Sequence, residues 1–155
     1  MSAFSHLDAA GRARMVDVGH KPAQQRTAVA EGAVRCQPST LAALRDHALP
    51  KGDVLTVAKI AAIQAAKRTD ELIPLCHSLP LDSVDVEFSL TDDTIRIRAI
   101  ARTTAKTGVE MEALTAVSIA ALTIYDMCKA VDRQMVIGEI RVTEKTKMPL
   151  PHDAV

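Results

Sequence analysis

The sequence predicts an α+β domain, an antiparallel sheet with helices packed on one face. Three observations carry this. Val84, Val86, Phe88 and Leu90 alternate with Asp85, Glu87 and Ser89. After the turn signal Asp92-Asp93, Ile95, Ile97, Ala99 and Ala101 alternate with Arg96, Arg98 and Arg102. Period-two alternation on both sides of a turn marks a half-buried hairpin. Its acidic and basic outer faces fit cross-strand charge pairing. The third observation is a long apolar run from Glu110 to Val131, a helix that must be largely buried. With the flanking segments, the order is strand, two helices, hairpin, helix, strand. A ferredoxin-like arrangement is the natural outcome.

The elements follow in order. Met1 to about Pro22 is expected to be an extended N-terminal segment, punctuated by Gly11, Gly19 and Pro22. Arg26 to Cys36 has the β-branched and Ala content of a strand, with Gly32 marking a bulge. Pro38-Ser39-Thr40 starts a helix whose apolar face holds Leu41 and Leu44. Asp53 caps a second helix, Val54 to about Arg68, whose Ala content suits close packing against a helix or a neighbouring subunit. A last strand runs from Met135 to Thr143, and residues 146–155 are expected to form a flexible tail.

A chain of 155 residues is expected to be a single domain. Aromatic residues are 2%, so the core must be built from Ala, Val, Leu, Ile and Met. Zero formal net charge gives no global field for nucleic acid, and any anionic ligand needs cations gathered by the fold. Cys36, Cys76 and Cys128 are too widely spaced for a disulfide framework or a zinc knuckle, which favours a reducing compartment. The start of the chain lacks a signal-peptide core, and Ala113 to Tyr125 is too short to span a membrane. The expectation is a cytoplasmic protein.

Two stretches carry chemistry. Asp126 and Lys129 share a helix face near the end of the apolar run. On spacing alone they read as a surface ion pair. The flanking Leu122, Ile124, Met127, Cys128 and Val131 are residues that helices normally bury. Apolar surroundings would raise the proton affinity of a lone Asp and lower that of a lone Lys, and mutual attraction works the other way. The second stretch is Leu72-Ile73-Pro74-Leu75-Cys76-His77, a Pro-bracketed loop. No further ligand sits at a usable spacing from Cys76 and His77, so no metal site is expected.

Several long segments occur together in order. They are Met15-Val16-Asp17-Val18, Lys51-Gly52-Asp53, Ala65-Ala66-Lys67-Arg68-Thr69, the loop through His77, and Thr107 to Thr115 continuing to Asp126-Met127-Cys128-Lys129-Ala130. Together they resemble the cyclic pyranopterin monophosphate synthase family of molybdenum cofactor biosynthesis, the MoaC family. The resemblance implies a phosphorus-oxygen lyase. Its substrate is a cyclic dihydro-guanosine triphosphate, converted to cyclic pyranopterin monophosphate with release of pyrophosphate. It places the catalytic pair at Asp126 and Lys129. It places substrate contacts at Leu75, Cys76, His77, Met111 and Glu112, and phosphate cations at Lys51, Arg26 and Lys145. It implies no bound cofactor, apart from Mg²⁺ accompanying the triphosphate. It also implies a hexamer, a trimer of dimers, with cations such as Arg26 and Lys51 lying across a dimer interface from Asp126 and Lys129.

The residues alone suggest a homo-oligomer as well, because Val57 to Ala66 and Ala113 to Ala121 offer much small-residue apolar surface. Two features depart from the family pattern. Ser78 follows the Cys-His step where the family has Pro, and Lys145 leads into Thr146-Lys147-Met148-Pro149 rather than a Gly-rich flap. The altered tail sustains an alternative reading, a non-catalytic oligomeric ligand-binding or scaffold homologue.

Overall fold

In the computed structural model, which describes residues 7–8 and 10–151, the first strand β1 (Gln24–Arg35) sits between two others rather than at an edge. The further elements are α1 (Pro38–Arg45), α2 (Val54–Ala66), the short α3 (Thr69–Leu72), β2 (Leu81–Leu90), β3 (Thr94–Ala105), α4 (Glu110–Cys128) and β4 (Val136–Pro149). The strand order is β2-β3-β1-β4, and every pairing is antiparallel. This is the ferredoxin-like order expected from the sequence. α4 packs on β1, β3 and β4, and α2 packs on α4 and β2.

Alternation decides which side of the sheet is covered. Ile95, Ile97, Ala99 and Ala101 of β3 are buried, whereas Arg96 and Arg102 are exposed. The hairpin register sets Glu87 opposite Arg98, and their side chains meet at 3.3 Å. Asp85 turns instead to Lys59 of α2, at 2.7 Å.

Gly32 lies where the β1–β4 register shifts, as its bulge reading requires. It also lies beneath α4, where an added Cβ would come within 2.6 Å of Val117 Cγ1. Only a residue without a side chain lets the helix approach the strand this closely.

α4 has the length and apolarity of a membrane-spanning helix, but this composition serves the core. Ala113, Ala116, Val117, Ala120, Ala121 and Ile124 are all buried in it. Ala58, Ala62, Ala65 and Ala66 of α2 are buried as well. The small residues expected to leave apolar surface for a neighbouring subunit are therefore already covered within the chain. What stays exposed is a scatter of larger residues, including Val57, Ile60 and Leu122.

Several boundaries differ from the sequence reading, beginning with β1, which runs from Gln24 to Arg35 rather than from Arg26 to Cys36. α2 ends at Ala66, and Thr69, whose hydroxyl bonds the Ala66 carbonyl at 3.0 Å, opens the separate α3. α4 ends at Cys128 rather than Val131, because the Asp132 carboxylate takes the amides of Gln37 and Gln134 and turns the chain. β4 continues to Pro149, with Thr146, Lys147, Met148 and Pro149 opposite Thr27, Arg26, Gln25 and Gln24. The expected flexible tail is thus an edge strand over its first four residues, and its last four, 152–155, lie outside the described residues. Of the N-terminal segment, residues 1–6 and 9 lie outside them too, and the rest carries no strand or helix beyond an isolated bridge between Leu7 and Ala13.

Candidate active site

The turn before α2 carries Lys51 next to Gly52, whose φ of 85° is a left-handed conformation suited to glycine. Asp53 then caps α2, accepting from the Thr56 amide at 3.1 Å. This turn delivers Lys51 to the end of α4. Its Nζ donates to Asp126 Oδ2 at 2.8 Å and to the Asp126 carbonyl at 3.1 Å. Lys129, one helical step on, reaches Asp126 Oδ1 at 2.8 Å. One carboxylate is clamped between two ammonium groups, leaving a local excess of positive charge.

All three side chains are half-exposed. The expected apolar setting is therefore corrected. Ile124, Met127 and Cys128 are buried behind the pair, but Leu122 and Val131 are 55% and 48% exposed. With little desolvation, mutual attraction prevails. The hydrogen bonds from Lys129 and then Lys51 draw the Asp126 carboxyl down to about 2, and Asp126 raises Lys129 in turn. At neutral pH the cluster holds an ionised base and a protonated amine side by side.

The other end of α4 is built differently. A cleft of about 290 Å³ is lined by Leu75, Cys76 and His77 from the loop after α3, by Thr107, Gly108, Met111 and Glu112 around the helix start, and by Val16, Val18 and Lys21. Glu112 is 4% exposed, and among the described residues its Oε2 has no hydrogen-bond partner. Burial pushes its carboxyl up to about 7, with the charges of Glu110 and Asp70 adding to the rise. A buried acceptor without a donor is costly, and such groups mark places where a ligand supplies the missing bond. Burial also raises the Cys76 thiol, with a contribution from Glu112. His77 Nε2 donates to the Val16 carbonyl at 2.7 Å, an acceptor that requires the proton on that nitrogen.

Arg26 and Lys145 also belong to this end. Lys145 pairs with Glu110 in the first turn of α4. Arg26 donates to the carbonyls of Ala105 and Lys106, which lead into α4, at 3.1 and 3.4 Å. Because β4 is longer than expected, Lys147 stands opposite Arg26 in the register.

The ten expected site residues therefore form two groups. Leu75, Cys76, His77, Met111, Glu112, Arg26 and Lys145 gather at the start of α4, and Lys51, Asp126 and Lys129 at its end. Glu112 and Asp126 are fourteen residues apart on one helix, a rise of about 21 Å. Lys51 is not across an interface from Asp126, since both belong to the same cluster in one chain. The sequence reading missed Lys21 altogether. It noted Val16 and Val18 only as matching words, without a place in the site.

Among the described residues, no three His, Cys, Asp or Glu side chains come together as a metal cage. A larger cleft of about 390 Å³ on the uncovered side of the sheet is lined by Glu31, Glu87, Glu139, Arg96, Arg98 and Arg141. Its charges largely satisfy one another, Arg96 with Glu139 at 3.1 Å and Arg98 with Glu87 at 3.3 Å and Glu31 at 3.9 Å. It contains no unpartnered buried group comparable to Glu112.

Residues 15–147 match the family model of the MoaC family. A protein of Roseiflexus sp. (strain RS-1) named cyclic pyranopterin monophosphate synthase is 59% identical over 148 residues, 94% of each chain. Proteins of the same name from Chloroflexus aurantiacus (strain ATCC 29366 / DSM 635 / J-10-fl) and Peptoclostridium acidaminophilum are 61% and 53% identical over 144 and 143 residues. These matches cover 92% of this chain and 88% and 91% of the two relatives. The match begins ahead of the strand that supplies Arg26 and runs through both ends of α4 to Lys145 and Lys147, and on that ground the chain belongs to the MoaC family.

Proposed function

We propose that this protein is a cyclic pyranopterin monophosphate synthase, acting on a cyclic dihydro-guanosine triphosphate and releasing pyrophosphate. The observation that carries the reading is Glu112, a buried carboxylate with a free oxygen at the floor of a cleft. A guanine-type edge presents adjacent N–H donors, the complement of that oxygen. The relatives' shared name supplies the reaction class.

The chemistry divides between the two ends of α4. Glu112, with Leu75, Cys76, His77 and Met111, holds the purine-derived rings. Asp126 accepts and Lys129 donates protons as the ring system is opened and remade. A ribose-derived hydroxyl then attacks the first phosphate. An oxygen–phosphorus bond forms, the bond to the bridging oxygen breaks, and pyrophosphate leaves with the electron pair. Lys51, Arg26 and Lys145 stabilise the charge that builds on the phosphates. No side chain is assigned to a resident metal, and Mg²⁺, if it accompanied the triphosphate, would supply charge neutralisation at the phosphates beside Lys51, Arg26 and Lys145.

Two groups about 21 Å apart along one helix cannot both reach the ring system of one nucleotide. The reading therefore takes the site as shared, with Glu112 of one chain facing Asp126 and Lys129 of another, in a hexamer built from dimers. Three free cysteines suit work in the reducing cytoplasm.

Incubation of the purified protein with the cyclic dihydro-guanosine triphosphate tests the function. Stoichiometric pyrophosphate and pterin product are expected. Substrate binding without pyrophosphate release would establish the scaffold alternative instead.

A further inference from the structure

We propose that Glu112 holds a proton in the unliganded protein and releases it when a guanine-type edge binds, so that acid empties the cleft. This regulation presupposes that the cleft is the nucleotide site.

Several elements bring charge to the Glu112 side chain. α4 supplies Glu110, whose carboxylate folds back over Gly108 in the cleft wall, where an added Cβ would collide with it. α3, which packs on α4, supplies Asp70. Both act on Glu112 as like charges. The loop after α3 supplies Cys76 and His77, and the N-terminal segment supplies Lys21. The cations of this end are committed elsewhere or stay clear of Glu112. Lys145 pairs with Glu110, and Arg26 donates to the Ala105 and Lys106 carbonyls. Lys106 Nζ donates to the Gly19 carbonyl at 2.7 Å, as His77 Nε2 does to that of Val16. Lys21 lines the cleft, but it forms no ion pair among the described residues.

A carboxylate placed there has lost water without gaining a donor at Oε2. Two neighbouring carboxylates oppose its charge, and its own backbone amide is the one counterweight. Such a group takes up a proton near neutrality rather than stay ionised and unpaired.

A guanine-type edge reverses the balance. Its two adjacent N–H donors need both carboxyl oxygens as acceptors. A protonated carboxyl would set its O–H against one of those donors. Binding therefore requires the carboxylate, and the proton passes to solvent through the open cleft. By the same linkage, added protons weaken the complex.

Guanosine is the probe, because it lacks phosphates and carries no group that titrates between pH 5 and pH 8. Calorimetry on the full-length protein, in two buffers of different ionisation enthalpy at each pH, counts the protons exchanged. At pH 6 about 0.8 to 0.9 proton should leave per guanosine bound, and at pH 8 about 0.1, as a single site titrating near 7 requires. Affinity should be about tenfold weaker at pH 6 than at pH 8. NMR of the isotope-labelled protein identifies the group, since the Glu112 carboxyl carbon signal is the one lost in Glu112→Gln. Saturating guanosine should move its titration to about pH 5 or lower. Guanosine binding without proton release at pH 6 overturns the inference and leaves the nucleotide site standing. So does proton release with the Glu112 titration unmoved, which would assign the proton to another group such as His77. No guanosine binding at either pH overturns the inference together with the reading of the cleft. All of these results can be read whether or not the protein turns over the cyclic substrate.

Discussion

Helix α4 has a buried carboxylate near its start and another just past its end, and the protein treats them in opposite ways. Glu112 is 4% exposed and Asp132 1%. Burial pushes both carboxyls up. At Asp132 that push is outweighed. Oδ2 accepts from the Gln37 amide at 2.8 Å and the Thr40 hydroxyl at 3.1 Å, and Oδ1 from the Gln134 amide at 2.9 Å, so its carboxyl ends below the usual range. At Glu112 none of the described residues bonds to Oε2, and the carboxyl is pushed up to about 7. Equal burial therefore does not mean equal role. The satisfied carboxylate fastens α1 to the chain after α4, and the unsatisfied one waits for a donor from outside.

The largest expected effect lies at neither of these residues but at the exposed cluster. Asp126→Ala or Lys129→Ala should lower kcat by about a hundredfold to ten-thousandfold. Thermal unfolding should hardly move, because both side chains are half-exposed. Near-normal turnover in a folded variant would remove the assignment.

Asp132→Ala should do the reverse. It strands two backbone amides and a hydroxyl around a buried site, at a cost of about 2–4 kcal/mol of stability. Chemical denaturation measures this, and the variant that remains folded should keep its kcat.

Glu112→Gln sharpens the contrast through pH. The Glu112 carboxyl is raised from 4.5 to about 7. Its protonated form is therefore favoured by folding, so its contribution is full below pH 4.5 and lost as pH rises to 7. Between pH 5 and pH 8, wild-type stability should fall relative to the variant by on the order of 2–3 kcal/mol. Parallel pH curves for the two proteins would contradict an unpaired Glu112.

Much of this was legible before any fold was known. The β2–β3 hairpin follows from period-two alternation, which survives because one face is buried and the other carries charge. The bulge at Gly32 was readable because a glycine interrupts a strand pattern. The far half of β4 was not, since Glu144 to Lys147 lie on an edge strand and carry no buried alternation. Within the site, the distance from Glu112 to Asp126 was implicit in a single predicted helix. The contact of Lys51 with Asp126 was not, because it depends on α2 packing against α4. Lys21 escaped notice because a lysine in an irregular segment has no sequence signature. Only the anchoring of its backbone by His77 and Lys106 places it at the cleft.

The proposal that the two ends of α4 meet across subunits is tested most directly by complementation. Glu112→Ala and Lys129→Ala proteins, each inactive alone, are mixed under conditions where labelled subunits are seen to exchange, and pyrophosphate release is followed. A shared site gives hybrid assemblies with both defects in one site and neither in another, so activity returns to a fraction of wild type. No activity after verified exchange would mean that each chain must supply both groups itself, which contradicts the account.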